Sequence, residues 1–86
     1  MKLSVYSLKK ILFQGEAQLL NCKTVSGEIT ILDNHETFIT ALALGVIKVV
    51  EANPSAGSKP RENFFPIKSG FLEVKEGNEV RCIVEE

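Results

Sequence analysis

Hydrophobic and polar residues alternate with a period of two along much of this chain. In the segment GEITIL the isoleucines alternate with Glu28 and Thr30, and in EVRCIVE every second residue is apolar. Successive side chains of a β-strand point to opposite faces of a sheet, so the alternation predicts half-buried strands.

Turn-forming dipeptides separate the alternating segments roughly every eight to twelve residues, a spacing typical of an all-β sandwich or barrel. They are Gln14-Gly15, Ser26-Gly27, Asp33-Asn34, Leu44-Gly45 and Ser69-Gly70, together with the tripeptide Glu76-Gly77-Asn78. The predicted strands are Leu3–Tyr6, Lys10–Phe13, Ala17–Lys23, Glu28–Leu32, Phe38–Leu42, Val46–Val50, Phe64–Lys68, Phe71–Val74 and Glu79–Glu85. No segment carries a sustained helical period.

One long stretch breaks the alternation. Residues Glu51–Asn63, EANPSAGSKPREN, are rich in Pro, Gly and Ser, which predicts a surface loop and not a linker between domains. A chain of 86 residues has room for one small core, so residues 1–86 are expected to form a single domain.

Composition and charge exclude several classes of function. Apolar residues make up 44% of the chain and charged residues 24%, a balance typical of globular proteins. The net charge of −1 comes from interspersed acids and bases, so no basic stripe is available for nucleic acid. No apolar run approaches the roughly 20 residues of a membrane span, and no signal core follows the first residues. We expect a soluble, cytoplasmic protein without direct membrane insertion.

His35, the only histidine, is the one candidate for general base chemistry at neutral pH. Asp33 and Glu36 are close enough in sequence to orient it. A hydrolase also needs a nucleophile, however, and the nearby threonines lie in no Gly-x-Ser-x-Gly elbow. The segment SAGSKP likewise lacks the frame of a nucleotide loop. The sequence therefore predicts no catalytic residue and no cofactor, and favours a structural or interface role for His35.

Both cysteines and at least one of the paired phenylalanines are predicted to belong to the core. Cys22 and Cys82 have no CxxC spacing and no second histidine, so no metal site is predicted and both are interpreted as buried thiols. Neighbouring strand residues face opposite sides, so at least one of Phe64 and Phe65 is expected to be buried.

An ordered set of segments resembles the epsilon subunit of bacterial and chloroplast F-type ATP synthases, called delta in mitochondria. The set comprises ILFQGEA, GEITILDNHETFITAL, GVIKV, SGFLEV and NEVRCIVEE, and it spans nearly the whole chain. The family has a Leu-Phe-x-Gly turn, a Gly-Glu-x-x-Ile-Leu strand and a Gly-His-Ala-Pro-Leu-Leu-Thr-Ala-Leu segment. The matching residues here are Leu12, Phe13, Gly15, Gly27, Glu28, Ile31, Leu32, His35, Thr40, Ala41, Leu42 and Gly45.

The resemblance implies a small all-β sandwich of about eight to ten mostly antiparallel strands, which clamps the rotating gamma subunit and rests on the membrane c-ring without doing chemistry. Carried over by motif, Ser7, His35 and Thr40 are expected to face gamma, and Ser26, Gly27 and Glu28 to face the c-ring. The implied location is the inner face of the cell membrane, peripherally, through the synthase.

Departures from the family pattern concern the loops and the C-terminus. Asn34 replaces the glycine before the histidine, and Asn is the non-glycine residue that best tolerates a left-handed backbone. Ser69 replaces one glycine of a Ser-Gly-Gly turn, and the Glu51–Asn63 loop is long. The chain stops at Glu86, where many relatives continue into two helices, so no C-terminal helical hairpin is expected.

Two alternatives from other classes stay open at this point. One is a free-standing β-sandwich adaptor that binds another cytoplasmic protein and shares only the fold. The other, less favoured, is a small hydrolase that uses His35.

Overall fold

The computed structural model of the chain describes residues 1–52, 57 and 59–86. It has eight β-strands, and no helix occurs in these ranges. The strands are β1 (Lys2–Tyr6), β2 (Ile11–Thr24), β3 (Gly27–Leu32), β4 (Phe38–Leu42), β5 (Gly45–Glu51), β6 (Glu62–Ile67), β7 (Ser69–Lys75) and β8 (Glu79–Glu85).

The strands form two layers that are joined through β2. Sheet I has the order β1-β8-β7-β4, and sheet II consists of β3, β2, β5 and β6 in that order. The first half of β2 also pairs with β1. All pairs are antiparallel except β1 with β8, which is parallel. The predicted all-β sandwich of mostly antiparallel strands is confirmed.

The inward side chains of both layers pack into one hydrophobic core. Its largest fully buried members are Leu3, Leu20, Ile31, Ile47, Leu72, Val5, Val49, Val80, Cys22 and Cys82. The prediction that both cysteines are buried is confirmed. Phe65 packs against this core while Phe64 is exposed, as the strand alternation predicts.

The predicted turn at Gln14-Gly15 is wrong, because a single strand runs through it. The two strands predicted on either side, Lys10–Phe13 and Ala17–Lys23, are parts of one strand, β2, which begins at Ile11. Gly15 lies within it and pairs with Leu3 of β1. Gly15 has no positive φ. It is an extended residue in a long ladder, so the glycine that looked like a turn lies inside a strand.

The predicted turn at Ser69-Gly70 is also wrong. Only Lys68 separates β6 from β7, and Gly70 lies in the ladder between Leu42 and Val84. A Cβ at Gly70 would overlap the carbonyl oxygen of Ile83 and lie 3.0 Å from Cα of Val84. Close approach of neighbouring backbone therefore explains this glycine.

The predicted Glu51–Asn63 loop is shorter at both ends, since Glu51 closes β5 and β6 begins at Glu62. Asn63 donates a hydrogen bond of 2.7 Å to the Glu51 carboxylate across the two strands. The predicted loop residues 53–56 and 58 lie outside the described residues.

Two asparagines in the left-handed region join the β3–β4 loop to the β7–β8 turn. Asn34 has φ 61° and Asn78 has φ 58°, so the predicted tolerance of Asn34 for this backbone is confirmed. The Asn34 N–H donates to Oδ1 of Asn78 (2.7 Å), and Asn78 Nδ2 donates to Oδ1 of Asp33 (3.2 Å). The terminal ammonium of Met1 also donates to Asp33. We call Met1, Asp33, Asn34 and Asn78 the upper clip.

We predict that Gly70→Ala destabilises the protein by about 2 kcal/mol or more, because the new methyl group meets strand backbone that has no room to move. Gly15→Ala is the matched control, since its nearest neighbour would be Cζ of Phe13 at an ordinary 3.8 Å. Urea unfolding of both variants measures the difference. Equal stabilities would contradict the close-packing explanation.

The upper clip predicts a pH-dependent stability. Hydrogen bonds from the Met1 ammonium and from Asn78 hold the pKa of Asp33 below its ordinary value. A lowered folded-state pKa stabilises the protein above the unfolded pKa of about 4, and this contribution is lost as the pH falls through the folded pKa. Asp33→Asn should therefore flatten the fall in Tm on acidification, whereas Glu36→Gln, in the same loop, should not. Parallel Tm curves for the parent and Asp33→Asn would contradict this role.

Both cysteines should be inert in the native protein. Burial raises the pKa of Cys22 to about 11, and burial together with the neighbouring Cys22 raises the pKa of Cys82. The thiolate is the reactive form, so we expect thiol reagents to label neither residue at neutral pH until denaturant is added. Mass spectrometry of native and denatured samples tests this, and rapid native labelling would contradict it.

Candidate protein-interaction face

The His35 side chain is held by its own loop. Nδ1 donates a hydrogen bond of 2.9 Å to the carbonyl oxygen of Glu36, and the ring packs at 5.2 Å from the ring of Phe38 with a tilt of 47°. Phe38 begins β4 and is packed against the core. The imidazole is therefore exposed at a defined position at the start of sheet I.

The geometry does not favour base chemistry at His35. The one imidazole nitrogen with a hydrogen bond in the described part of the chain donates to a backbone carbonyl. Asp33, one of the two carboxylates close to His35 in sequence, instead accepts hydrogen bonds from Met1 and Asn78. Across the residues that the structure describes, no group of three or more His, Cys, Asp or Glu side chains is placed to hold a metal ion.

The outer face of sheet I carries a continuous apolar row. In-register pairs connect Ala41 to Phe71, Phe71 to Ile83, Ile83 to Tyr6, and Tyr6 to Ile11. Paired residues share a face, so these five side chains lie next to one another across five strands. Phe71 is 61% exposed and Ile11 62% exposed. We call this set the apolar row.

A polar row borders the apolar row on the same face. Its members in order of strand pairing are Ile39, Glu73, Arg81, Ser4 and Gln14. Nε of Arg81 lies 4.0 Å from Oε1 of Glu73, and Ile39 adds a further exposed apolar side chain at the β4 end. An apolar strip beside charged and polar groups is the composition expected of a protein-binding surface.

The sequence analysis missed the apolar row, although the sequence contains a sign of it. Phe71-Leu72 and Cys82-Ile83-Val84 place apolar residues on both faces of their strands, where a strand with one solvated face would alternate. The five residues are far apart in the chain. They become neighbours through the pairing of β1 with β8 and β2, and of β7 with β4 and β8.

Ser7 lies at one corner of this face, directly after Tyr6. Its hydroxyl accepts hydrogen bonds from the N–H groups of Lys9 (3.2 Å) and Lys10 (3.3 Å), and its own N–H donates to the carbonyl of Lys10 (2.9 Å). The side chain thus shapes the β1–β2 turn. Its exposed surface remains beside the apolar row.

Thr40 lies on the inner side of sheet I. It pairs with Leu72, which is fully buried, and alternates with the outward residues Ile39 and Ala41. Thr40 is half-buried, and its hydroxyl donates to the Ala41 carbonyl at 3.4 Å. A partner would reach Thr40 from the edge of β4 and not from the outer face.

The turn predicted to face the c-ring lies at the other end of the sandwich from His35. We call the end with the β1–β2, β2–β3 and β4–β5 turns the lower end, and the end with the upper clip the upper end. At the lower end Thr24 pairs with Leu42, Leu42 with Gly70, and Gly70 with Val84, so these four residues form one row across the strands. Ser26, Gly27 and Glu28 are exposed at this end. Gly27 has φ 126°, and Glu28 accepts a hydrogen bond of 3.2 Å from Asn21 Nδ2.

The structure does not gather the three predicted gamma-facing residues into one cluster. Ser7 is at the lower end and His35 at the upper end, while Thr40 lies between them on β4. All three nevertheless belong to sheet I or to its flanking turns. The apolar row crosses sheet I from β4, which carries Thr40 and follows His35, to β1, which precedes Ser7.

Comparison with known proteins gives a family match over the whole chain. A model of the ATP synthase delta/epsilon chain beta-sandwich domain matches residues 1–86. The epsilon chain of Clostridium novyi (strain NT) is 36% identical over 73 residues, covering 85% of this chain and 51% of the relative. The chloroplastic epsilon chain of Chlamydomonas reinhardtii is 29% identical over 86 residues, covering 100% of this chain and 60% of the relative. The chain thus spans between half and two thirds of the length of these curated relatives.

Solved structures share the fold. A chain of the Euglena gracilis mitochondrial ATP synthase, from its OSCP/F1/c-ring assembly, superposes with a TM-score of 0.84 at 22% identity, covering 100% of this chain and 51% of that chain. A chain of the Tetrahymena thermophila mitochondrial ATP synthase central stalk and c-ring gives 0.80 at 15% identity, covering 100% and 63%. At these identities the likeness concerns the fold alone. With the match over residues 1–86, the family that the sequence resembles is confirmed, and the chain belongs to the ATP synthase delta/epsilon chain beta-sandwich domain family.

Proposed function

We propose that this chain acts as a non-catalytic domain of the central stalk of a rotary F-type ATP synthase. In this role it docks on the gamma subunit with sheet I and on the c-ring with its lower end, and so helps to couple proton flow to ATP synthesis. Family membership over residues 1–86 supports the assignment, and so does the source of the two solved chains, both of which are parts of mitochondrial ATP synthases. Its location would then be that of the membrane-associated complex. No helix in the part of the chain that the structure describes is long and apolar enough to cross a membrane.

The apolar row is the observation that carries the docking proposal. Folding leaves Phe71, Ile83 and Ile11 in contact with water on one face, where they contribute little to the stability of the isolated domain. Covering such side chains with a partner contributes roughly 25 cal/mol for each Å² of apolar area removed from water. Gamma is the partner that we assign to this face, because Ser7 and His35, two of the residues expected to face gamma, lie at its corners.

A non-catalytic role fits the chemistry around His35. Its Nδ1–H donates a hydrogen bond to a backbone carbonyl and its ring packs on Phe38, so the residue is suited to present a fixed polar surface to a partner. We propose that His35 contributes an interface contact at the upper corner of sheet I and Ser7 one at the lower corner. The apolar row then supplies most of the binding energy between them.

We predict that Phe71→Arg weakens gamma binding by about a hundredfold or more, because it places an unpaired cation in the centre of a desolvated contact. Phe64→Arg is the matched control, because Phe64 lies on the outer face of sheet II and its 58% exposure is close to the 61% exposure of Phe71. Calorimetry with purified gamma measures both affinities, and circular dichroism checks that both variants fold.

The pair of variants also separates the alternatives. Loss of gamma binding in Phe64→Arg with normal binding in Phe71→Arg would assign gamma to sheet II. No gamma binding by the folded parent chain would overturn the central-stalk proposal in favour of an adaptor for another protein.

A further inference from the structure

The loop that presents His35 is held by contacts at its two ends. Residues 33–37 follow β3 and precede β4, and they belong to no strand. In the described part of the chain, the hydrogen bonds that join this loop to other elements all involve Asp33 or Asn34. On the other side of His35, the ring contacts Phe38, which packs against the core. The position of His35 therefore depends on how the two residues before it are anchored.

Asn78, in the β7–β8 turn, supplies this anchor. Its Oδ1 accepts the N–H of Asn34 (2.7 Å), and its Nδ2 donates to Oδ1 of Asp33 (3.2 Å). A primary amide has both an acceptor and a donor, and here each bonds to a different residue of the loop. The backbone carbonyl of Asn78 also accepts the N–H of Lys2 in β1 (2.9 Å). One residue thus joins the β3–β4 loop to sheet I.

Few residue types can form these bonds at position 78. Its φ of 58° lies in the left-handed region, which Gly, Asn and Asp adopt more readily than other residues. Glycine has no side chain to bond the loop. Aspartate has no donor for Asp33 and would place a second carboxylate beside it. The position therefore requires the amide of asparagine for a link beyond its own turn.

Asn34 takes part in the link in a different way. Its φ of 61° is also left-handed, but it contributes its backbone N–H. Among the hydrogen bonds of the described residues, none uses the Asn34 side chain. Glycine at position 34 would keep both the left-handed backbone and the N–H donor. Asn34 and Asn78 are thus a matched pair, in which only the side chain of Asn78 forms the link.

We infer that Asn78 is a positioning residue, which holds the β3–β4 loop in the conformation that presents His35 to gamma. This inference rests on the proposed function, because that proposal places a gamma contact at His35. Without the bonds from Asn78, the segment before His35 would sample more conformations, and binding would have to restrict them again. Losing this preorganisation lowers the affinity without changing an atom of the contact itself.

The first test follows the imidazole in the isolated chain. His35 is the only histidine, so NMR assigns its ring protons without ambiguity. The ring of Phe38, 5.2 Å away, shifts these resonances as long as the loop holds the two rings together. Asn78→Gly should move them toward random-coil values, whereas Asn34→Gly should leave them as in the parent. Circular dichroism checks that both variants fold. Unchanged resonances in folded Asn78→Gly would overturn the positioning role.

The second test measures gamma binding by calorimetry. Asn78→Gly should bind gamma about three- to tenfold more weakly, the loss expected when a neutral hydrogen-bonded link is removed, and Asn34→Gly should bind like the parent. The same pair of variants in a His35→Ala background completes a double-mutant cycle. In that background Asn78→Gly should cause no further loss, because it acts through the imidazole. An equal loss in both backgrounds would overturn the positioning role.

The two measurements separate failure of this inference from failure of the proposed function. A folded parent chain that does not bind gamma overturns the proposed function, and the NMR comparison, which needs no partner, still decides whether Asn78 positions His35. Normal gamma binding by His35→Ala overturns the His35 contact, and with it the role of Asn78 toward gamma. The apolar row keeps its own test in Phe71→Arg.

Discussion

The fold depends on one strand that both sheets share. The first half of β2 pairs with β1, and its second half pairs with β3 on one side and β5 on the other. The change of partner occurs around Ala17, which is fully buried and where the β2–β5 register shifts. A small side chain at this point lets the two layers approach closely. Because one strand of 14 residues contributes its first half to one layer and its second half to the other, its continuous backbone sets the position of sheet I relative to sheet II.

This shared strand connects the apolar row with the lower end of the sandwich. Through β1, the start of β2 continues the apolar row on the outer face of sheet I. At its far end, β2 leads into the turn with Val25 at its tip, which is bonded to the strand that bears Ile39 and Ala41. The apolar row and the lower end therefore belong to one hydrogen-bonded framework.

The two ends of the sandwich differ in chemistry for reasons that begin with single residues. At the upper end Asn34 and Asn78 accept left-handed backbone, so two tight turns fit together and bind Asp33 and the Met1 ammonium between them. At the lower end the β2–β3 turn is stabilised by the hydroxyl of Thr24, which bonds to the Gly27 carbonyl and the Ser26 N–H. The upper end is thus closed by polar contacts within the chain, while the lower end exposes apolar side chains.

The amino-acid sequence by itself determined what depends on local chemistry. Alternation of apolar and polar residues identified the strands and placed Cys22 and Cys82 in the core. It also required that at least one of Phe64 and Phe65 be buried, but it did not say which one. Asn34 indicated that a left-handed turn is tolerated at this position, because few other non-glycine residues adopt that backbone. The ordered motifs identified the family. All these conclusions rest on properties of a residue and its near neighbours.

Tertiary structure alone decided the properties that depend on strand pairing. A glycine favours a turn locally, yet Gly15 and Gly70 lie within strands because neighbouring backbone passes close or the ladder continues. Residues 6, 11, 41, 71 and 83 became one apolar row only when the parallel pairing of β1 with β8 joined the two ends of the chain. The β2–β3 and β4–β5 turns became neighbours only when Thr24 paired with Leu42. Pairing between distant strands depends on the packing of the whole core, and a local pattern of two-residue period is the same whichever neighbour the strand acquires.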